Sequence, residues 1–319
     1  MDSFFFNITD TRYKITQIFQ ESHNHITRVD ISNGIVFLDI LLEDTQKEFT
    51  IKNLDRMIFI PVVIDGKITI MDNIDNKENT NQQKYITKKD SMSLYCSSKQ
   101  DFTITIEKAE SGIKTKIFIL FIADFYLKRY LSSNIQEPID FLYNNIQKEI
   151  SLKLINTMPI DALSLYIIEK IVNINENKNE YMTSIKKEHS VIEFIIHRFS
   201  MLDFNIKFDK SINESELNIA KNAKIFLLKN FVNPPSIQEL AHQCATNESK
   251  LKKVFKKVYN TTIYSYIQKL KLEKANILLK DQILNIGQIA KEVGYKHQGH
   301  FSKLFFENYG VYPKDLLKN

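Results

Sequence analysis

The chain has 319 residues, 43% hydrophobic and 25% charged, an ordinary globular composition that excludes intrinsic disorder and sets an expectation of two domains. Lys plus Arg is 43 against 38 Asp plus Glu, a formal +5; from Glu214 onward there are 17 Lys, no Arg and 9 acidic residues, so that third carries +8 and residues 1–213 carry −3. A basic end on an acidic body points to a polyanion-binding module joined to a part with another job.

The two cysteines, Cys96 and Cys244, exclude a disulfide framework, and no Cys/His cluster has zinc spacing. The opening MDSFFFNITD lacks a basic n-region and a cleavage site, so no signal peptide is expected. The longest mainly apolar run, Ile117 to Leu127, is too short to span a bilayer and contains Asp124. The expectation is a cytoplasmic protein with no membrane contact.

In chain order, residues 4 to about 122 read as strands. Alternation is clearest in Phe102-Thr103-Ile104-Thr105-Ile106-Glu107. Val62 to Ile70 predicts a hairpin, because Asp65-Gly66 supplies the positive φ of a primed turn. The polar run Asn73 to Gln83 predicts a loop, and short strands at this spacing predict a β-barrel or sandwich. After Ile122 the pattern turns helical, over Ala123–Leu131, Ile139–Ile150, Ile160–Ile174 and Ser184–Leu202, with Pro138 and Pro159 at expected helix starts. The resulting division is a β domain over 1–122, a helical connecting region over 123–204, a linker over 205–215 and an all-α domain over 216–319. The fold class is α+β.

The basic third contains a repeat. Leu240-Ala241 and Cys244-Ala245 return 49 residues later as Ile289-Ala290 and Val293-Gly294; Leu251, Phe255 and Tyr259 return 50 residues later as Phe301, Phe305 and Tyr309. The change of shift places a one-residue length difference in the turn between a short and a longer helix, and each copy is a helix-turn-helix pattern. Ser236-Ile237-Gln238-Glu239 is a capping box and Asn285-Ile286-Gly287-Gln288 a similar start. Asn260 and Gly310 stand where the longer helices should end. Ile263–Leu279 between the copies predicts one long amphipathic helix.

In the first copy Leu251, Val254, Phe255 and Val258 form the apolar stripe, leaving Ser249, Lys250, Lys252, Lys253, Lys256 and Lys257 outward. In the second, Phe301, Leu304, Phe305 and Tyr309 are the stripe, leaving His297, Gln298, His300, Ser302 and Lys303 outward. Lys donates to guanine O6 and N7, Gln pairs with adenine, and Ser accommodates either, so such helices suit the major groove. A solvated lysine face would explain one such helix; the duplicated, capped frame favours double-stranded DNA as the partner.

Residues 216–319 resemble the C-terminal domain of AraC-type transcriptional regulators. The resemblance is carried by Glu239-Leu240-Ala241, Leu251-Lys252-Lys253-Val254-Phe255-Lys256, Tyr266, Lys271-Leu272, Ala275, Ile289-Ala290, Val293-Gly294-Tyr295, Phe301-Ser302-Lys303, Phe305, Tyr309-Gly310-Val311 and Pro313. Ala245 and Asn260 replace the family's usual Gly, and Lys253, Lys271 and Lys303 its common Arg. Asn233-Pro234-Pro235-Ser236, Asn247, Lys250-Leu251-Lys252 and Tyr259-Asn260-Thr261-Thr262-Ile263 resemble the pyochelin-regulator (PchR) subgroup. The resemblance implies a cupin-like N-terminal barrel, promoter DNA and RNA polymerase as partners, a homodimer, and an iron-loaded siderophore as small-molecule effector.

For an anionic effector, the scarce Arg12, Arg28 and Arg56 are the candidate counter-charges. His23 and His25 are the only histidines of residues 1–122, too few for a cupin metal set, so neither a metal nor a cofactor is expected. Two alternatives keep a different first part: a DNA-repair fusion, which needs a reactive cysteine among metal-binding cysteines where Cys96 stands alone, and a β-barrel enzyme, which the two histidines do not support. A regulator responding to a different metabolite also stays open. With no nucleophile elbow, phosphate loop or catalytic carboxylate motif, the expectation is a non-enzyme.

Overall fold

Period-two alternation in the first third builds strands: β1 (Asp2–Phe6), β2 (Lys14–Glu21), β3 (Asn24–Ser32), β4 (Ile35–Leu42), β5 (Lys47–Asn53), β6 (Arg56–Asp65), β7 (Lys67–Asp72), β8 (Lys84–Lys88), β9 (Ser91–Ser98), β10 (Phe102–Glu107) and β11 (Thr115–Ala123). The structure is a computed structural model and describes residues 2–317 apart from 10, 44, 54, 73–82, 99–100, 108–113, 132–137, 149–151, 174–181, 200–213 and 260. The expected loop at Asn73–Gln83, the polar break after Asn173, the linker over 205–215 and the Asn260 cap thus fall wholly or mainly outside the described residues. The chain forms two units, residues 1–160 with 164–202, and residues 161–163 with 203–319.

In the first unit the strands make two open, facing sheets, the sandwich alternative of the strand pattern and not the closed cupin-like barrel that the resemblance implies. One runs β1-β5-β10-β7-β8; the other runs β12-β9-β6-β11-β4-β3-β2, where β12 is Lys153–Pro159. Their facing sides share one core, with Ile51, Ile70, Phe102 and Ile104 from the first sheet against Leu38, Ile40, Phe59, Ile119 and Phe121 from the second. Phe59 lies 4.9 Å from Tyr95 and 4.8 Å from Phe102, centroid to centroid. Each such ring removed from water contributes about 1.5–3 kcal/mol. Phe6, the described side chain of the opening Phe run, is buried in the same core.

Three sequence expectations need correction here. Gly66 does take positive φ (95°), and Asp65 Oδ1 accepts from its N–H, but β6 and β7 belong to different sheets. The turn is a corner between sheets and not a hairpin. A Cβ at Gly66 would come within 2.6 Å of Thr115, so the corner is also tightly packed. Secondly, β12 interrupts the helical region by pairing antiparallel with β9. Thirdly, Pro159 ends that strand instead of starting a helix, whereas Pro138 begins α2 (Pro138–Lys148) as expected. The remaining helices of this region are α1 (Asp124–Lys128), α3 (Ala162–Asn173) and α4 (Thr183–Phe199).

Helix α4 is held from one side by two buried cations. Lys187 Nζ donates to the carbonyl of Ile171 at 2.6 Å, at the electronegative end of α3. Arg198 donates to the Pro159 carbonyl at 2.9 Å and to Ser164 Oγ at 3.3 Å.

The second unit is helical: α5 (Glu214–Asn230), α6 (Ile237–Gln243), α7 (Glu248–Tyr259), α8 (Ile263–Asp281), α9 (Ile286–Glu292), α10 (Gln298–Tyr309) and α11 (Pro313–Leu316). Ile219, Leu227, Leu240, Leu251, Phe255 and Ile263 form one buried cluster. Further along α8, Leu272, Ala275 and Leu279 are buried, as are Ile289, Phe301 and Phe305 of the second copy. The 19 residues of α8 span about 28 Å.

Candidate nucleic-acid interface

Each copy is built by the same local chemistry. Glu239 N–H donates to Ser236 Oγ and Ser236 N–H to Glu239 Oε2; Gln288 N–H donates to Asn285 Oδ1 and Asn285 N–H to Gln288 Oε1. These are full capping boxes, each contributing about 1 kcal/mol. Accepting the Ser236 backbone N–H holds the Glu239 carboxyl below its ordinary range.

The ends of α6 and α9 match as closely. Cys244 and Val293 share φ −94° and ψ 10°. Thr246 N–H then reaches back to the Ala241 carbonyl (3.0 Å) and Tyr295 N–H to that of Ala290 (2.8 Å). Both are Schellman closures, which require the next residue to be left-handed. That residue is Gly294 (φ 80°) in the second copy and Ala245 (φ 51°) in the first. An L-residue there costs on the order of 1 kcal/mol. Gly294 cannot be replaced so cheaply, because a Cβ would stand 2.3 Å from the Val232 carbonyl oxygen. Lys271 Nζ donates to the Gly294 carbonyl at 3.0 Å, and burial lowers its pKa. Lys271 is therefore a positioning group for this turn.

The outward faces carry the candidate DNA contacts. Leu251, Val254, Phe255 and Val258 of α7 are buried, while Ser249, Lys250, Lys252 and Lys253 are exposed. Asn247 caps this helix by accepting from Lys250 N–H, and Lys252 Nζ lies 3.4 Å from Glu248. Lys257 pairs with Glu216 at 3.0 Å and is thereby tied to α5.

On α10, Phe301 and Phe305 are buried, Leu304 and Tyr309 half-buried, and His297, Gln298, His300 and Lys303 exposed. Ser302 is half-buried. His297 occupies the N-cap position without a side-chain cap bond, and the His300 ring packs edge-on against Tyr295 at 5.9 Å. Gly310 ends the helix in the left-handed conformation. Exposed Lys296, in the turn before α10, is a further cation that stripe counting did not single out.

In the first unit, Arg12 and Arg28 come together in a groove of about 310 Å³ with Thr11, Lys14, Thr16 and Asp30. Arg28 is already engaged: its Nε lies 3.1 Å from Asp30 Oδ2, its Nη2 donates to the Asn7 carbonyl, and its guanidinium lies over Phe6. Arg56 lines a different place, donating to Gln147 Oε1 at 2.8 Å. His25 pairs with Asp39 and His23 is exposed; among the described residues no group of three His, Cys, Asp or Glu could hold a metal ion. Cys96 and Cys244 are buried and not disulfide-bonded. Among the described residues no helix is long and apolar enough to cross a membrane.

Residues 240–319 match the family model described as a helix-turn-helix domain. This part therefore carries a helix-turn-helix domain. The transcriptional regulator AlkR of Acinetobacter baylyi is 37% identical over 81 residues, 25% of this chain and 26% of that protein. The transcriptional regulator GbdR of Pseudomonas aeruginosa is 31% identical over 86 residues, 27% of this chain and 23% of that protein. The match thus spans about a quarter of the length of these relatives. The structure of ToxT from Vibrio cholerae is 18% identical over 90% of this chain and all of that one, with a TM-score of 0.30; at that score the likeness adds nothing to the fold described above.

Proposed function

We propose that the chain is a promoter-binding transcriptional regulator controlled by a small molecule and acting as a homodimer in the cytoplasm. The observation that carries this reading is the repeated, capped frame that exposes Ser249, Lys250, Lys252 and Lys253 on α7 and His297, Gln298, His300 and Lys303 on α10. Ser302 completes the second set of candidate contacts. Successive major grooves on one DNA face lie roughly 34 Å apart, a span comparable to the reach of the connecting helix α8. RNA polymerase is the downstream partner in this reading.

The homodimer is supported by α4. Its far side presents Ile185 and Ile196, exposed by 62% and 66%, in a row with His189 and Ile192 and with Met182, 69% exposed, just before its first turn. Steps of three and four along this row make the heptad seam of a two-stranded coiled coil, with a second copy as partner. Ile185→Glu with Ile196→Glu is expected to convert the dimer to monomer in sedimentation; an unchanged mass would remove α4 from the interface.

The sheet-rich unit takes the effector in this account, the role a cupin-like barrel has in the resemblance. Arg12, Lys14 and Arg28 favour an anionic ligand at their groove, and a ferric siderophore is the member of that class implied by the PchR-like motifs. Arg56, engaged with Gln147 on α2, is not part of that groove.

The test is sequencing of genomic fragments captured by the purified full-length protein at roughly 150 mM salt, where lysine–phosphate binding without sequence preference is already weakened. Discrete sites are expected. Sites beside iron-uptake genes support the siderophore effector; discrete sites elsewhere keep the regulator and discard that effector. Diffuse capture both with and without added ferric siderophore discards that effector, and diffuse capture by residues 211–319 alone as well contradicts the regulator reading.

A further inference from the structure

The seven-stranded sheet has a second face, turned away from the shared core, and α3 packs on it without filling the space. A cavity of about 320 Å³ remains, within the size range of small-molecule sites. Leu41, Ile64 and Phe118 line it from the sheet, and Leu165, Ile168 and Val172 from α3. Strand register explains the sheet side: His25 lies opposite Leu41, and Asp39 opposite Phe118, so these side chains share one face.

The charged groups of the wall are unequal. Among the described lining residues Asp39 on β4 and Glu169 on α3 are carboxylates, Lys116 on β11 is the ammonium, and His25 on β3 directs Nε2 to Asp39 Oδ2 at 3.2 Å. Among the described lining residues the carboxylates thus outnumber the ammonium two to one. Lys116 is exposed and its charge is well screened, whereas the Asp39 side chain is only 22% exposed and Glu169 is half-buried. Lys187 of α4 caps the carbonyls of Ile171 and Val172 at the end of α3, and the anionic groups lining the cavity are Asp39 and Glu169.

We propose that this cavity binds a small amphipathic amine, its ammonium met by Asp39 and Glu169 and its hydrocarbon body lying between Phe118, Leu41 and Ile168. It is a site distinct from the Arg12/Arg28 groove and has the opposite charge preference. The assignment rests on the reading that the sheet-rich unit takes a small molecule, and it is tested on the full chain without DNA, so it stands or falls apart from promoter binding.

The test is calorimetric titration with three probes that share one body and differ in the head: phenethylamine, 3-phenylpropionate and phenethyl alcohol. The amine is expected to bind saturably and at least about tenfold tighter than the acid, the ratio that one charge-assisted hydrogen bond supplies. Glu169→Gln and Asp39→Asn should each weaken the amine by roughly tenfold while leaving the alcohol unchanged. Ile168→Trp, which fills the cavity, should abolish binding of all three. Preference for the acid, absence of saturable amine binding, or an amine affinity unchanged in Glu169→Gln would overturn the assignment. Loss of amine binding with genomic capture intact would remove this site and leave the regulator reading standing; the converse would do the reverse.

Discussion

The first helix-turn-helix copy presents Lys250, Lys252, Lys253, Lys256 and Lys257 along α7, capped by Asn247 and with Glu248 in its first turn. The second presents Gln298, His300, Ser302 and a single lysine, Lys303, along α10, whose first turn has neither an acidic residue nor a side-chain cap. The capping boxes and Schellman closures of the two copies nonetheless correspond, as do Leu251, Val254, Phe255 and Tyr259 with Phe301, Leu304, Phe305 and Tyr309; the exception is buried Val258, whose counterpart is exposed Asn308. Frame and outer face are thus set by different constraints. Burial and backbone geometry dictate the frame, while the outer face is free to specialise. On the lysine count, α7 is expected to contribute mainly phosphate contacts, which hold without selecting, and α10 base readout.

The largest expected effects come from the one place where the frames differ in tolerance. Gly294→Ala forces a Cβ against the Val232 carbonyl at positive φ and should destabilise the second unit by about 3 kcal/mol or more. Ala245→Gly relieves strain but loosens the unfolded chain, and should change stability by less than about 1 kcal/mol. Urea denaturation of the two variants measures both. Equal losses would show that the turns are not constrained as described.

Next comes the division of labour. Lys303→Ala should cost roughly 1–3 kcal/mol on a captured site and relax the preference at one base position. Lys252→Ala with Lys253→Ala should weaken all sequences alike and lower the slope of log affinity against log salt by about two. Binding curves on the site and on scrambled DNA, taken across a salt series, separate the two behaviours. The opposite assignment would appear as a uniform loss for Lys303→Ala.

The smallest effect distinguishes the two capping boxes. The Glu239 carboxyl is held below its ordinary range by the Ser236 N–H, so its contribution is present above the ordinary carboxylate range and is lost as pH falls through the lowered folded value. Gln288 fills the same place in the second copy without a charge. The melting temperature of Glu239→Gln should therefore fall below that of the parent at pH 7 and converge with it in acid, while Gln288→Ala should lower it by a pH-independent amount. A pH-independent difference for Glu239→Gln would contradict the cap.

The helical third was legible because its determinants are local. Ser236, Asn285 and Gly310 announce helix ends within a few residues, and the 49- and 50-residue shifts place the turn. The sheets were less so. Asp65-Gly66 specifies a positive φ but carries no information about which sheet the next strand joins. Lys153–Pro159 is short and lies between helical patterns, and its pairing with β9 is a long-range event. Scarcity drew attention to the arginines, but it could not reveal that Arg56 reaches Gln147 or that Asp30, two residues along the same strand, engages Arg28. The row Met182, Ile185, His189, Ile192 and Ile196 was available from spacing alone; only the structure separates it from the face that holds Lys187 and Arg198.

The central claim is that both copies engage DNA together, and a hydroxyl-radical footprint of the full-length protein on a captured site tests it most directly. The account predicts two protected segments on one face of the duplex, about one helical turn apart, with Lys303→Ala weakening protection at the segment read by α10. A single protected segment, or protection spread evenly along the fragment, would contradict it.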